Sequence, residues 1–580
     1  MRVRLLPLLA VLATAGPTLA QAGVVTQWTF NGTSGTTTPS TGVGTAVAVG
    51  GTMLNYFSGT AAGGSTDTTA SATNFGLSLN TFPAAAVNPG TAGARFNAST
   101  AGRSDILFRF DLRLSNTASR YFQMEYTTDG TTFTAAGAVD ANLGSPPTDT
   151  WYNNRTFDLS GVAAAAGAAG FGVRVVSVFP PAGTAYQAYA NGSSYTTAGT
   201  AWFDAVTVAQ GSRWVGGSGP GLSTVANYAG GTAPPLLGGV ALFGPAGGAN
   251  TSVVVPVGGV NLDQVVFQTS APAYTVSGTS VLAVAAGLVN NSSAVQTVSA
   301  PVAFGNQTSV LNAGTLTLSG ATSTYVGGLQ LQGAGRINLN GNLNANVAGQ
   351  QVYVAPTATL GGTGTLGATT ATRVQVFSGG MLSPGAVVGT PGTLTAGGGT
   401  AGTAATNAAV RFEAGSVFRL AVTAAAPVAD LAANAGQSAT PGTGNSLLAT
   451  RNAAGGTSVS LSFASGAAGL GTNVTTDMVG VTLNPANQYS FLVATGANIL
   501  PVGPNVTVQG GTFTFTNGVS DITASITAQF TPALQITGGS NVYLTLVPVP
   551  ESATVLAVAA AGLGTVRLRR RLTVSSRRPG

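Results

Sequence analysis

Leu360-Gly361-Gly362-Thr363-Gly364-Thr365-Leu366 and, one step on, Gly379-Gly380-Met381-Leu382-Ser383-Pro384-Gly385 decide how this chain is read. In each, apolar residues alternate with small hydroxylated ones between glycine corners, the pattern of a short strand bounded by turns. Leu382 follows Leu360 by 22 residues, and Val374 follows Val352 by the same interval. A period of that length is one coil of a parallel β-solenoid, in which no coil can bury its apolar face alone and stability accumulates with coil number. Comparable segments stand at Gly314-Thr315-Leu316-Thr317-Leu318-Ser319-Gly320, at Gly335-Arg336-Ile337-Asn338-Leu339-Asn340-Gly341, at Val352-Tyr353-Val354 and at Pro391-Gly392-Thr393-Leu394-Thr395. The solenoid is therefore expected over residues 236–420.

These segments resemble the autotransporter-associated β-strand repeat, whose hallmark is a Leu-Gly-Gly-Thr-Gly turn followed one coil later by Leu-Ser-Pro-Gly. The resemblance includes Ala241-Leu242-Phe243-Gly244 near its start. It implies a right-handed parallel β-helix. A true autotransporter would end in a membrane barrel of alternating strands with an aromatic girdle, and nothing after 420 has that pattern. Strands are expected instead at 489–494, 512–516 and 542–547, so that 421–547 adds further strands and caps the exposed coil edge.

Upstream the texture differs. All four tryptophans (Trp28, Trp151, Trp202, Trp214) lie before residue 215. Along 106–114, Ile106, Phe108, Phe110, Leu112 and Leu114 alternate with Arg109, Asp111 and Arg113, which predicts a strand with one buried and one wet face. Tyr121 to Tyr126 alternates again, and Asp129-Gly130 supplies a tight turn before Phe133. With further strands at 28–30, 171–178 and 202–208, residues 24–210 are expected to form an antiparallel β-sandwich of jelly-roll type. Trp202-Phe203-Asp204-Ala205-Val206-Thr207-Val208 resembles the closing strand of sandwich modules in exported and carbohydrate-binding proteins. A Gly/Pro-rich linker is expected at 211–235.

The fold class is thus all-β, and composition narrows the chemistry. There is no cysteine and no histidine, which removes disulfides, thiolate nucleophiles, histidine bases and His/Cys metal sites. The formal charge of +6 is misleading, because two of the arginines precede residue 23 and six follow 550. Thirteen arginines against fourteen acids remain between, near −1, so no footprint for nucleic acid is left.

The two ends carry addresses. Residues 1–22 have a basic start, an apolar run and small residues at Ala20 and Ala22, the layout of a cleavable signal peptide. At the other end Val549-Pro550-Glu551-Ser552 precedes the uncharged stretch 553–566 and then Arg567, Arg569, Arg570 and Arg571. Proline, a short apolar helix and a basic stop resemble the PEP-CTERM sorting signal, with Ser552 where the motif usually has a second proline. Fourteen apolar residues reach about 21 Å as a helix, short of the roughly 30 Å hydrocarbon core, so a short hydrophobic helix acting as a temporary handle is expected over 548–571, ahead of a basic tail at 572–580. The bland reading is a buried or amphipathic terminal helix with a solvated charge run. The resemblance implies passage through signal peptidase, transient anchoring in the inner membrane, processing by an exosortase-type transpeptidase, and delivery to the cell surface or extracellular matrix of a Gram-negative-type bacterium.

Three chemistries are open to such a chain. A polysaccharide-degrading β-helix needs paired carboxylates, yet between 240 and 420 the acids are Asp263 and Glu413, some 150 residues apart. Glu413 with Arg411 and Arg419 reads as a solvated strand face. The sandwich is richer in acids (Asp105, Asp111, Glu125, Asp129, Asp140, Asp149, Asp158, Asp204), which leaves structural calcium open without naming ligands. Trp151 and Tyr152 could stack on a sugar or pack in a core. No catalytic residue, metal ligand or cofactor is assigned. The sequence points to a non-enzymatic structural or adhesive protein in contact with exopolysaccharide or matrix glycans, the alternative being a carbohydrate-binding module on a β-solenoid stalk, and a β-helix enzyme after that.

Overall fold

The computed structural model describes residues 23–549, less 141–150, 399–407, 429–446, 453–460, 465–470, 501–505 and shorter interruptions. It is all-β with antiparallel and parallel sheets, in two compact units, Met1–Gly314 and Thr315–Gly580.

The first unit opens with two antiparallel sheets. One has the order Gly44–Val49, Gly93–Ala98, Gly172–Ser177, Tyr121–Thr127, Thr134–Asp140. The other centres on the long strand Ala201–Trp214, flanked by Gly23–Trp28, Phe75–Asn80 and Ile106–Leu114, with Met53–Ser58 and Trp151–Asp158 outside them. They face each other through aromatic rings: Phe96 lies 5.6 Å from Trp28, 6.1 Å from Phe108 and 6.2 Å from Phe203, centroid to centroid. Alternation in Ile106–Leu114 delivers Phe108 and Phe110 into this interior, as the sequence predicts.

The opposite face of that strand is not wet. Arg109, Asp111 and Arg113 are buried along with the rest. Three covers account for this. Thr66 bonds to Asp111, Arg113 stacks on the Trp202 and Phe57 rings, and parallel strands bring Asp263 to Arg109 while packing Val240, Leu242, Val266 and Val289 onto Leu107 and Ala209.

Those parallel strands begin on the sandwich itself. Residues 211–214, the end of Ala201–Trp214, pair in parallel with 240–243, which pair with 264–267, and these with 287–290. A second ladder aligns Val253, Val276 and Val298. The stretch read as a linker is consequently no tether: its first residues are strand, Trp214 and Tyr228 are buried in a T-shaped contact of 5.4 Å, and the Tyr228 hydroxyl donates to Leu222 O at 2.7 Å.

Among its described residues the second unit contains three parallel ladders. One stacks Leu316, Ile337, Leu360, Leu382, Phe418, Val474 and Phe513; another stacks Leu329, Val352, Val374, Val410 and Leu461; the third runs through Leu343, Leu366 and Ala396. The two 22-residue intervals found in the sequence, Leu360 with Leu382 and Val352 with Val374, are both direct register partners. Burying each such leucine or valine contributes roughly 1.5–3 kcal/mol.

The glycines of the Leu-Gly-Gly-Thr-Gly corner have specific jobs. A Cβ at Gly361 would fall inside the Arg336 guanidinium and 2.7 Å from Ser383 O, so this glycine makes room for a buried arginine reaching two strands along its parallel ladder. Gly362 has φ +109°, and a Cβ there would run into Leu339 O.

Parallel pairing continues beyond 420, to Phe513–Thr516, before an antiparallel group closes the unit. In it Gln488–Thr495 pairs with Asn541–Pro548, that strand with Phe530–Thr537, and that one with Val506–Val508. One short helix, Thr523–Gln529, escaped the sequence reading. Its signal is local, since Asp521 Oδ1 accepts the Thr523 N–H at 2.8 Å. Among the described residues no helix is long and apolar enough to cross a membrane. The hydrophobic helix expected after Pro548 lies outside the described residues.

Candidate functional site

The polar feature that stands out is buried. Asp111 and Asp204 are register partners on adjacent antiparallel strands, exposed by 1% and 0%. At their level the sheet slips register on both sides, between Asp204 and Thr207 and, toward the Trp151–Asp158 strand, between Phe110 and Leu112. Ala205 and Asn154 adopt left-handed backbone there, with φ of 46° and 55°. Bulges of this kind re-aim groups and strain non-glycine backbone by about 1–3 kcal/mol.

Each carboxylate holds one bulge and one part of the covering loop. Asp204 Oδ1 accepts the Ala205 N–H at 2.7 Å and its Oδ2 accepts the Ser65 hydroxyl at 2.5 Å. Asp111 Oδ1 accepts the Asn154 N–H at 2.7 Å, while its Oδ2 accepts the Thr66 N–H at 2.6 Å and the Thr66 hydroxyl at 2.7 Å. Asp67 extends the latch, taking Thr69 on one oxygen and Asn31 Nδ2 on the other. Burial raises the Asp111 pKa despite the bonds from Thr66 and Asn154. Burial also lifts Asp204 well above the carboxylate range; Ser65 opposes this and the Asp111 charge adds to it.

Beside this latch lies a cavity of about 240 Å³. Thr66, Asp67, Asn154 and Arg109 come from the antiparallel sheets and their loop; Asp263 and Ala285 come from the parallel strands of the same unit. Arg109 Nη1 and Asp263 Oδ2 form an ion pair at 2.5 Å, both side chains mostly buried. Gln264 Nε2 donates to Thr156 Oγ1 at 2.8 Å close by, tying the two kinds of sheet together. Asn154 is 4% exposed, and its Nδ2 has no hydrogen-bond partner among the described residues.

The residues named from sequence fare differently. Trp151 is fully buried and its indole N–H donates to Ala61 O at 2.9 Å. Tyr152 is buried as well, its hydroxyl bonded to that of Tyr189. Their rings are spent on packing, so of the two readings the sequence leaves open the structure has the core one and not the sugar contact. Tyr186 and Tyr195, 4.9 Å apart, anchor loops by donating to Asn88 O and Pro83 O. Of the other described acids, Glu125 pairs with Arg174, Asp105 with Arg213, Asp129 caps its turn at Thr131 and Thr132, and Asp158 accepts the Ser160 N–H. Arg411 pairs with Glu413 at 2.8 Å, but Arg419 turns to Asp477 in a two-pronged contact at 2.8 and 2.9 Å. Among the described residues no group of three acids could hold a metal ion.

Asp67, Asn154 and Asp263 were missed as site residues. The one legible signal was Ser65-Thr66-Asp67, an acid flanked by hydroxyls; Asn154 and Asp263 are brought in by the fold. Ala20, Ala22, Pro550, Glu551, Ser552, Arg567, Arg569, Arg570 and Arg571 lie outside the described residues. Val549 is described, half-exposed, with its N–H donating to Gln529 O at 2.9 Å. No family model matches this chain, and no curated protein does.

Proposed function

We propose that this is an exported, exosortase-processed protein of the cell surface or extracellular matrix, non-enzymatic, with a structural and adhesive role. In this reading the stacked parallel ladders close into a right-handed solenoid that follows an amino-terminal sandwich in the sequence. The observation that carries it is the order of signals at the carboxyl end. The last described strand, Asn541–Pro548, stops where Val549-Pro550-Glu551-Ser552 begins, and an uncharged stretch with an arginine stop follows. An apolar segment ending in arginines halts in a bilayer with the arginines on the cytoplasmic side, which leaves the β body outside. The near-neutral body, free of histidine and cysteine, supports contact through many weak hydrogen bonds better than it supports catalysis.

Mass spectrometry of the protein from its native host tests this. The expected mature chain starts after Ala20 or Ala22 and ends near Pro550, in the envelope or secreted fraction. Intact chain carrying Arg567 to Arg571 in the soluble cytosolic fraction refutes it.

A further inference from the structure

We propose that the cavity beside Asp67 and Asn154 is a binding site for a single neutral sugar unit. The proposal stands on the pocket and not on the export reading, so either can fail alone.

The wall selects the chemistry. Its lining residues carry donors on Gln27, Thr29 and Asn154 and acceptors on Asp67, Asp263 and Thr66, the Thr66 hydrogen being committed to Asp111. Arg109 is matched to Asp263. An occupant must therefore bring both donors and acceptors, and a ring of hydroxyls brings both. An anion would face two carboxylates against one guanidinium. A cation lacks a cluster of three acids among the described residues. An apolar or aromatic ligand would leave buried polar groups unpaired, which costs about 1–3 kcal/mol each. Size agrees: about 240 Å³ holds roughly eight waters at ~30 Å³ apiece, the room one pyranose needs.

The site is also built to hold its shape. Asp111 fixes Thr66 and Asn154 together, and Asp204 fixes Ala205, so the lining is positioned before any ligand arrives. None of the described lining residues is aromatic, so no ring stacks on the sugar and affinity in the millimolar range is expected.

Saturation-transfer NMR on the full mature chain tests this, with glucose, galactose, mannose, rhamnose and N-acetylglucosamine, and with glucuronate and calcium chloride as contrasts. At least one neutral sugar is expected to bind, unaffected by EDTA, and glucuronate and calcium are not. Asp67→Asn should weaken binding roughly tenfold, the value of one hydrogen bond to a charged acceptor. Ala285→Trp, an exposed rim substitution, should abolish it with the melting temperature unchanged. Absence of binding by every neutral sugar overturns the proposal. So does binding that survives Ala285→Trp in folded protein, or a response to calcium alone. If Ala285→Trp lowers the melting temperature, the Asp67→Asn comparison decides.

Discussion

Gly361→Ala probes the corner motif most directly. The added methyl would occupy the space of the Arg336 guanidinium, which donates to Ser383 O at 3.0 Å and to Gly385 O at 2.6 Å. Burial, then the nearby Arg419 charge, pulls the Arg336 pKa down to about 10, so this cation is already held at a cost that its carbonyl partners offset. Evicting it forfeits two bonds from a charged donor, at least about 1.5 kcal/mol each. The methyl also presses on Ser383 O, which adds about 1 kcal/mol of overpacking. Gly361→Ala should therefore cost about 4 kcal/mol. In an Arg336→Ala background the first contribution is gone, so the same change should cost only about 1 kcal/mol, a coupling near 3 kcal/mol. Because strands of a parallel ladder can open locally, the assay is native-state hydrogen exchange read on peptides covering 336–342, 359–366 and 381–385. Equal cost in the two backgrounds, with coupling under about 0.5 kcal/mol, would refute the claim that this glycine exists to admit the arginine.

The carboxyl pair gives a pH prediction. With its folded pKa raised above the ordinary 3.8, Asp204 keeps its proton in the native state after the unfolded chain has lost it. Stability should fall as pH climbs from 3.8 to the folded pKa and then level off. Thermal melts should show that slope in the wild type and a flatter profile in Asp204→Asn, whose amide does not titrate; an unchanged slope counts against it. Asp111→Asn should instead lose about 1–3 kcal/mol at neutral pH, because Asp111 accepts two backbone N–H groups on different oxygens and an amide can serve only one; chemical denaturation measures this. Finally, a fragment of residues 24–210 should bind ANS and melt without cooperativity, since it uncovers Leu107 and Ala209 and strips Arg109 of Asp263. A fragment of 23–314 should melt sharply, and equal melting temperatures for the two would sink the argument.

What could be read in advance was whatever depends on neighbours in sequence or on a fixed period. Leu360 and Leu382, and Val352 and Val374, announce their pairing because parallel strands joined without inserted loops recur at a constant interval. Beyond Leu382 the partners lie 36 and 56 residues on, Phe418 and then Val474, and inserted loops hide the period. The Ile106–Leu114 strand shows the same divide. Its alternation correctly sent Phe108 and Phe110 inward, but nothing local says that a loop near residue 66 and strands beyond 240 will bury Arg109 and Asp111. Trp151 and Tyr152 were ambiguous for that reason too, since an aromatic ring looks alike in sequence whether it is shelved on a surface or walled in.

The shared strand Ala201–Trp214 sets a direction of assembly. Its carboxyl end gives the first parallel strand a finished edge to dock on, so residues 240–243 need not find a partner among equals. Parallel pairing between distant segments is slow because loop closure must precede any reward. Here the search is divided into short steps, each adding a rung to one already fixed. A nascent chain emerges amino end first, and it would meet these rungs in the order it can use them.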